Sequence, residues 1–242
     1  MHRFFLDSSP LIVGQTVALT PLAHQLYLVL RLPVGAQITL LDNSGDEFLT
    51  SIEQLTAKTG QGLVLARQPA PGEPPLHLTL YQCSLKADKF EWVLQKATEL
   101  GVARFVPVIS QRSVVRPAAA LLSKYDRWLT ILREAAEQSG RGRIPVLEAP
   151  QSWQQAIHHA SGLRLLPWEA AGSTMPSLHS AIPHSALRTP HFSLLIGPEG
   201  GITPEEAAAA QAAGWQLVGL GPRILRAETA ALAAITLVML AG

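Results

Sequence analysis

Pro69, Pro71, Pro74 and Pro75 fall within the seven residues PAPGEPP, and this cluster divides the chain. Proline lacks an amide hydrogen and has a fixed φ, so a run this dense continues neither a helix nor an interior strand. The segment reads as a linker, and the residue patterns on its two sides differ. Upstream, TVALT, AQITLLD, EFLTSIE and GLVLARQ read as short strands, with NSGD at Asn43 to Asp46 as a turn signal. One helix is expected among them, with Thr20 as N-cap, Pro21 in the first helical position and the periodic HQLYLVL behind. Residues 1–70 are therefore predicted to form a small, mostly β domain.

Downstream the period changes. LHLTLYQC, RFVPVI, PVLEA, LRLLPWE, FSLLIG and WQLVGLG have strand length, and helical patterns alternate with them: DKFEWVLQKATEL, AALLSKYDRWLTILREAAEQS, SWQQAIHHA, PEEAAAAQAAG and a last helix from Leu225. Strands that are apolar along their length predict a parallel sheet covered on both faces. The expectation is an α/β domain over residues 75–242.

With 242 residues the chain is long enough for two domains with buried cores. Only 15% of residues are charged and 48% are hydrophobic, which excludes a disordered chain. The most apolar stretch, Ala230 to Gly242, is broken by Thr236 and falls short of the ~20 residues that span a bilayer. Leu11 to Val13 is too short for the apolar region of a secretory leader. Neither a membrane span nor a leader is expected, and the single cysteine, Cys83, fits a reducing cytosol. The net charge of +1 is unevenly spread: residues 1–75 carry −2, 76–150 carry +4 and 151–242 carry −1. A basic middle is a modest signal for an anionic partner.

Ligands of α/β sheets sit beyond the carboxyl ends of strands, so two glycine-rich segments matter most. In FSLLIGPEGGITPEE a strand runs through Gly197, Pro198, Glu199, Gly200 and Gly201 into a helix with Thr203 as N-cap, Pro204 first and Glu206 closing a capping box. This segment also reads as a well-capped strand-to-helix turn. It lacks the glycine spacing of a dinucleotide fingerprint, and the chain contains no phosphate-binding G-x-x-x-x-G-K-[ST]. In VGLGPRILRAETAALAAI, Arg223, Arg226 and Glu228 precede a long apolar helix. Glu228 suits a helix N-terminus, whereas Arg226 opposes the dipole there and is better explained by a polar or anionic ligand nearby.

GPEGG, with LGPRILRAETA following at Leu220 to Ala230, resembles the bacterial 16S ribosomal RNA (uracil-N3)-methyltransferase family, part of the SPOUT superfamily. The resemblance extends to MHRFF at the start, KADKFEWVLQKATELGV at Lys86 to Val102, SQRSVVR at Ser110 to Arg116 and EQSGRGRIP at Glu137 to Pro145. It implies an N-terminal PUA-like β-barrel that binds RNA and a C-terminal α/β domain with a deep trefoil knot. It further implies a homodimer that binds S-adenosyl-L-methionine in the knot and methylates uracil N3 in 16S rRNA of the small subunit. No membrane and no metal enter this expectation.

The resemblance places the cofactor on strand-end loops, where glycine permits close backbone approach. It carries to Gly197, Pro198, Glu199, Gly200 and Gly201, and to Leu220, Gly221, Ile224, Leu225 and Arg226. Ile196, Leu220, Ile224 and Leu225 wall the adenine in this reading, and backbone groups of Leu166 to Glu169 form a third loop. Attack by uracil N3 requires loss of a proton and stabilisation of a developing anion. Arg226 and Arg112 are the candidate cations, and Glu199 and Glu228 the candidate proton acceptors. Arg3, Arg31, Lys86, Lys89, Arg112, Arg116, Arg141 and Arg143 form the expected RNA-binding set, since basic side chains supply phosphate contacts. In the acidic first domain such binding requires a local patch, namely His2, Arg3 and Arg31.

Other residues read as structural. Cys83 at a strand end is expected to be a small buried hydrophobe. His158 and His159 are adjacent on a helix and point about 100° apart, unlike a chelating i, i+4 pair. His179, His184 and His191 belong to or border a Ser/Pro-rich loop at Gly172 to Pro190, and the five tryptophans read as core or interface aromatics, Trp168 alone falling near a cofactor loop.

Overall fold

The computed structural model describes residues 1–7, 10–114, 117–169, 175–182 and 191–241. The chain divides into two compact units, Met1–Glu73 with Ala136–Ile144, and Pro74–Ala135 with Pro145–Gly242.

The first unit holds β1 (Arg3–Phe5), β2 (Thr16–Ala18), β3 (Gln37–Leu41), β4 (Asp46–Leu55) and β5 (Gly60–Pro69) in one sheet of order β1-β3-β4-β5-β2. β1 is parallel to β3 and the other neighbours are antiparallel. Side-chain alternation sends Phe4, Ile38, Leu40, Phe48, Ile52 and Val64 into a core with Leu19 and Leu26. Phe5 and Leu41 point the other way and pack on Ala136, which draws residues 136–144 into this unit rather than the α/β unit where the sequence placed them. The carboxylate of Glu73 fixes that segment: Oε1 accepts the amides of Gly142 and Arg143, both at 3.0 Å, and Nε of Arg141 at 3.3 Å. Gly142 is required here, since a Cβ would stand 2.6 Å from the backbone of Gly45.

The helix expected at Thr20 is present as one irregular helical stretch, 3₁₀ at Thr20–Leu22 and π at Gln25–Val29, with Ala23 and His24 helical between them. Thr20 is the first residue of the former, preceded by Leu19, and no side chain caps it. The wider turn puts Leu26 in the core while Tyr27, Leu28 and Val29 stay exposed.

The second unit is a parallel sheet of β6 (His77–Cys83), β7 (Arg104–Ile109), β8 (Val146–Leu147), β9 (Gln151–Ser152), β10 (Leu163–Pro167), β11 (His191–Ile196) and β12 (Gln216–Val218). Its order is β12-β10-β11-β6-β7-β8, with β9 beside the end of β7. The helices are α1 (Ala87–Glu99), α2 (Ala118–Leu122), α3 (Tyr125–Ser139), α4 (Trp153–His159), α5 (Leu178–Ala181), α6 (Pro204–Ala212) and α7 (Ala227–Ala241). On one face Tyr81, Cys83, Val106, Leu195 and Leu217 pack against Trp153 and Ile157 of α4, Ala207 and Ala210 of α6, and Trp215. α1 and α7 pack together, and α7 also packs on β11. Phe90 of α1 meets Trp128 of α3 with ring centroids 4.5 Å apart. Both faces of the sheet are thus apolar, which is why its strands read as continuous apolar runs.

Cys83 is wholly buried. Burial pushes its thiol up to about 12, opposed by a hydrogen bond with Ser110 and reinforced by the charge of Glu206. Nucleophilic reactivity belongs to the thiolate. The native protein is therefore expected to leave an aromatic disulfide reagent unreacted at pH 8, and to consume one equivalent only after urea is added. Rapid reaction of the native protein would contradict the burial.

Candidate active site

The order in which strands are added reverses between β6 and β11, because β6 leads outward to β7 while β10, β11 and β12 lie on its other side. Pairing of Leu165 with Leu194, and of Pro167 with Val218, brings β10, β11 and β12 to nearly one level at their carboxyl ends. Three loops leave from that level, and among the described residues they enclose two adjoining cavities of about 210 and 560 Å³. Pro167, Glu169, Ile224, Leu225 and Ala230 line both.

The two glycine segments converge here. Ile196, Gly197, Pro198, Glu199, Gly201, Ile224, Leu225 and Arg226 line the smaller cavity, together with Lys89 of α1. Leu220, Gly221, Ile224 and Leu225 line the larger, with Trp168, Met175 and Gly219. Gly201 has φ +72°, a conformation that favours glycine, and a Cβ there would displace the end of the flexible Glu169 side chain. Gly200 lines neither cavity but lies beneath Arg112, whose Nη1 donates to its carbonyl at 3.0 Å. Leu166, the first residue of the expected third loop, has its side chain fully buried in the sheet core among Cys83, Leu195 and Trp215. Alternation turns its side chain inward, and the next residues, Pro167, Trp168 and Glu169, face the cavities instead.

Arg112 is placed by a relay that begins at α6. Thr203 caps the helix and accepts the amide of Glu206, and the Glu206 carboxylate returns through Oε2 to the amide of Thr203 at 3.2 Å. Oε1 of the same group accepts the amide of Gln111 at 2.7 Å. One buried carboxylate therefore completes the capping box read from the sequence and anchors the neighbouring loop, a second task that spacing alone did not show.

The charges at the rim are paired unequally. Lys89 Nζ lies 3.2 Å from Oε1 of Glu228 and 3.9 Å from Oε1 of Glu199. Glu228 sits in the first turn of α7 and lines neither cavity. Arg226 is exposed at the smaller cavity, and no hydrogen bond or ion pair from the described residues reaches its guanidinium. The pairing of Lys89 and the two roles of Glu206 were not read from the sequence, whereas Glu169 closes the loop expected from Leu166 to Glu169 and lines both cavities. A lysine in the first turn of α1, opposing the dipole, was the available signal for the first.

The expected RNA-binding residues divide between the units. In the first, Arg31 is exposed with φ 53°, and Arg3 pairs with Glu47 at 3.4 Å. Arg143 is exposed and donates to the carbonyl of Ser44. Arg141 is only 2% exposed and bonds Glu73, so its side chain is a structural tie and not an RNA contact. In the second unit Lys86 is exposed at the N-cap of α1. Arg116 and His184 lie outside the described residues. Among the described residues no group of three or more His, Cys, Asp or Glu side chains is placed to hold a metal ion, and no helix is long and apolar enough to cross a membrane.

A parallel sheet with a cavity at its reversal point, walled by glycine turns, defines a class that the family comparison identifies. A family model described as an RNA methyltransferase domain matches residues 72–239. The chain is similar to the ribosomal RNA small subunit methyltransferase E of Synechocystis sp., with 36% identity over 223 residues covering 90% of this chain and 71% of that protein. The protein of the same name from Bacillus subtilis is 31% identical over 243 residues, covering 98% and 95%. Among solved structures, the chain is similar to ribosomal RNA small subunit methyltransferase E from Neisseria gonorrhoeae bound to S-adenosyl methionine (TM-score 0.85, 36% identity, 97% of this chain and 95% of that chain). A methyltransferase of Legionella pneumophila in complex with SAM matches with a TM-score of 0.86 and 32% identity over 99% and 97%. The chain belongs to the ribosomal RNA small subunit methyltransferase E family.

Replacing Glu206 with Ala removes the return half of the capping box and the anchor of Gln111. A loss of about 1–2 kcal/mol in urea denaturation is expected. A loss below about 0.5 kcal/mol, the range of ordinary surface substitutions, would contradict the relay.

Proposed function

We propose that this protein transfers a methyl group from S-adenosyl-L-methionine to uracil N3 of a uridine in 16S rRNA of the small ribosomal subunit. The observation that carries the reading is the convergence of Gly197 to Gly201 and of Leu220 to Arg226 on one pair of cavities at the strand ends. Support comes also from family membership and from the cofactor named with the Neisseria and Legionella structures. The ribosomal substrate puts the protein in the cytoplasm.

The residues present fit that cofactor. Gly219 and Gly221 line the larger cavity, and no protein atom stands within 4 Å of where a Cβ would be, so side chains there would take open space rather than packed protein. Leu220, Ile224 and Leu225 offer apolar walls for an adenine, and Glu169 offers a carboxylate at the junction of the two cavities. When bound, the cofactor supplies an electrophilic methyl carbon on a sulfonium, with the electron pair of the broken bond returning to sulfur.

The chain's own residues do the rest. Arg226, without a partner among the described residues at the smaller cavity, stabilises the charge that develops on a uracil carbonyl oxygen as the N3–H bond breaks. Glu199, which also lines that cavity, accepts the proton. Glu228 lines neither cavity and is not used as an acceptor. Arg112 acts on the site by bracing Gly200. RNA approaches over Lys86 and Arg112 on the second unit, while Arg3, Arg31 and Arg143 offer cations on the first; we read residues 1–70, which the 136–144 segment joins, as a PUA-like domain and the remainder of 75–242 as a methyltransferase domain. A trefoil knot is the topology proposed for the latter, supported by the return of the chain from edge strand β12 to the α7 helix packed on α1. The homodimer is supported by apolar side chains left outward on α7, Leu237 and Leu240, the latter 81% exposed.

Two measurements test the reading. Arg226→Ala is expected to lower kcat by about 10²- to 10³-fold, the effect of removing one anion-stabilising donor, with 3-methyluridine as the wild-type product by mass mapping. Ribose methylation, or undiminished turnover of the variant, would overturn the assignment. Sedimentation equilibrium at micromolar concentration is expected to give a dimer, and a monomer would overturn that part.

A further inference from the structure

Three charged side chains from three separate elements meet beside the smaller cavity, which two of them line: Lys89 from α1, Glu199 from the β11–α6 turn and, behind them, Glu228 from the start of α7. They are 29%, 23% and 15% exposed, so each has given up much of its hydration. Ion pairs in such settings contribute little net stability, because desolvation offsets attraction. Helix energetics do not explain Lys89 either. With Lys86 as the N-cap, Lys89 falls in the first turn of α1, where the positive end of the dipole disfavours a cation and favours the adjacent Asp88.

The two carboxylates are engaged differently. Glu228 holds Lys89 with both oxygens, Oε1 at 3.2 Å and Oε2 at 3.3 Å, and faces neither cavity. Glu199 commits one oxygen only: Oε1 accepts the backbone amide of Lys86 at 3.2 Å and lies 3.9 Å from Lys89. Its Oε2 has no hydrogen-bond partner among the described residues, and Glu199 and Lys89 both line the smaller cavity.

We propose that Lys89 is a positioning residue of the methyl-transfer site and not an RNA phosphate contact. Its ammonium, held by Glu228, attracts Oε1 of Glu199 from 3.9 Å and so supports the hydrogen bond of that oxygen to the Lys86 amide, which leaves Oε2 to take the proton of the target base. This rests on the reading of Glu199 as proton acceptor given above. The proton leaves N3 for Oε2 of Glu199, the N3 electron pair forms the bond to the methyl carbon, and the sulfonium methyl donor is the co-reactant. Glu228 acts through Lys89, as the counter-charge that keeps the ammonium in place.

The test uses the full-length protein with Lys89→Met, Lys89→Arg and Glu228→Gln. Three quantities are measured: kcat and KM on small ribosomal subunits, S-adenosylmethionine affinity by calorimetry, and the salt dependence of binding to a 16S rRNA fragment. For Lys89→Met, kcat is expected to fall about 10- to 100-fold, the range lost when an acid–base group is misplaced. KM, cofactor affinity and the slope of log affinity against log salt are expected to stay at wild-type values. Lys89→Arg should recover most of kcat, because it keeps the charge. Should kcat persist while KM rises and the salt slope shrinks by about 0.7–0.9, one phosphate contact has been lost and the proposal is overturned. If Lys89→Met proves unfolded by circular dichroism, Glu228→Gln decides: reduced kcat with an unchanged salt slope supports the proposal, and unchanged kcat overturns it. A wild-type protein that binds no donor or leaves N3 unmethylated overturns the functional reading itself, an outcome visible before any variant is made.

Discussion

Parallel hydrogen bonding between β10 and β11, and between β10 and β12, sets the level at which three loops leave the sheet. A shift of one residue in either pairing would turn Leu166 out of the core and move Trp168 and Glu169 relative to the glycine turn of β11. The backbone bond from Trp168 N to the Val218 carbonyl, 3.1 Å, continues that pairing one residue past the strand and into the cavity wall. Side-chain chemistry at the site therefore depends on a register held by apolar burial on both faces. Leu165, Leu166, Leu194, Leu195 and Val218 are all fully buried, and each fixes which neighbour points at the cavity.

Polar groups near this framework are few, and each is used more than once. Glu206 caps α6 and holds Gln111, Trp168 donates its indole to the Ile202 carbonyl at 3.2 Å while walling a cavity, and Lys89 spans two glutamates. In an apolar unit a buried polar group without a partner costs about 1–3 kcal/mol. Sharing partners among loops satisfies these groups and at the same time makes the loops interdependent. The same economy governs the first unit, where the single carboxylate of Glu73 accepts three donors from Arg141, Gly142 and Arg143.

Local chemistry was readable wherever it was contained in consecutive residues. The proline linker, the capping box of Thr203 and Glu206, the alternation of strand and helix after residue 75 and the hydrophobic character of Cys83 all depend on near neighbours. Contacts between distant residues were not readable. Arg141 looks like one of several arginines in a basic stretch, and only the approach of Glu73 turns it inward. Leu166 stands in the segment that supplies the third loop, yet the parity of its position in β10 sends it to the core. Thr20 followed by Pro21 does start a helical stretch, but Leu19 and not Thr20 holds the cap position, and the winding passes from 3₁₀ to π as Leu26 is buried with Leu19. The convergence of two glycine turns was inferred through family resemblance, since spacing along the chain does not determine which strands are neighbours.

Charge balance at the site follows from the same geometry. Lys89 is occupied by Glu199 and Glu228, and Arg112 donates to Gly200, which leaves Arg226 as the cation lining the smaller cavity whose guanidinium has no partner from the described residues. An arginine in solvent gains little by remaining at the start of a helix, where the dipole opposes it. At the mouth of a cavity that excludes part of the water, the same charge acts at lower effective dielectric and interacts more strongly with an anion that forms beside it. The dipole penalty at rest and the stabilisation during reaction are thus two consequences of one placement. The loop that carries Arg226 runs from β12 to α7 through Gly221, whose φ of +101° favours glycine.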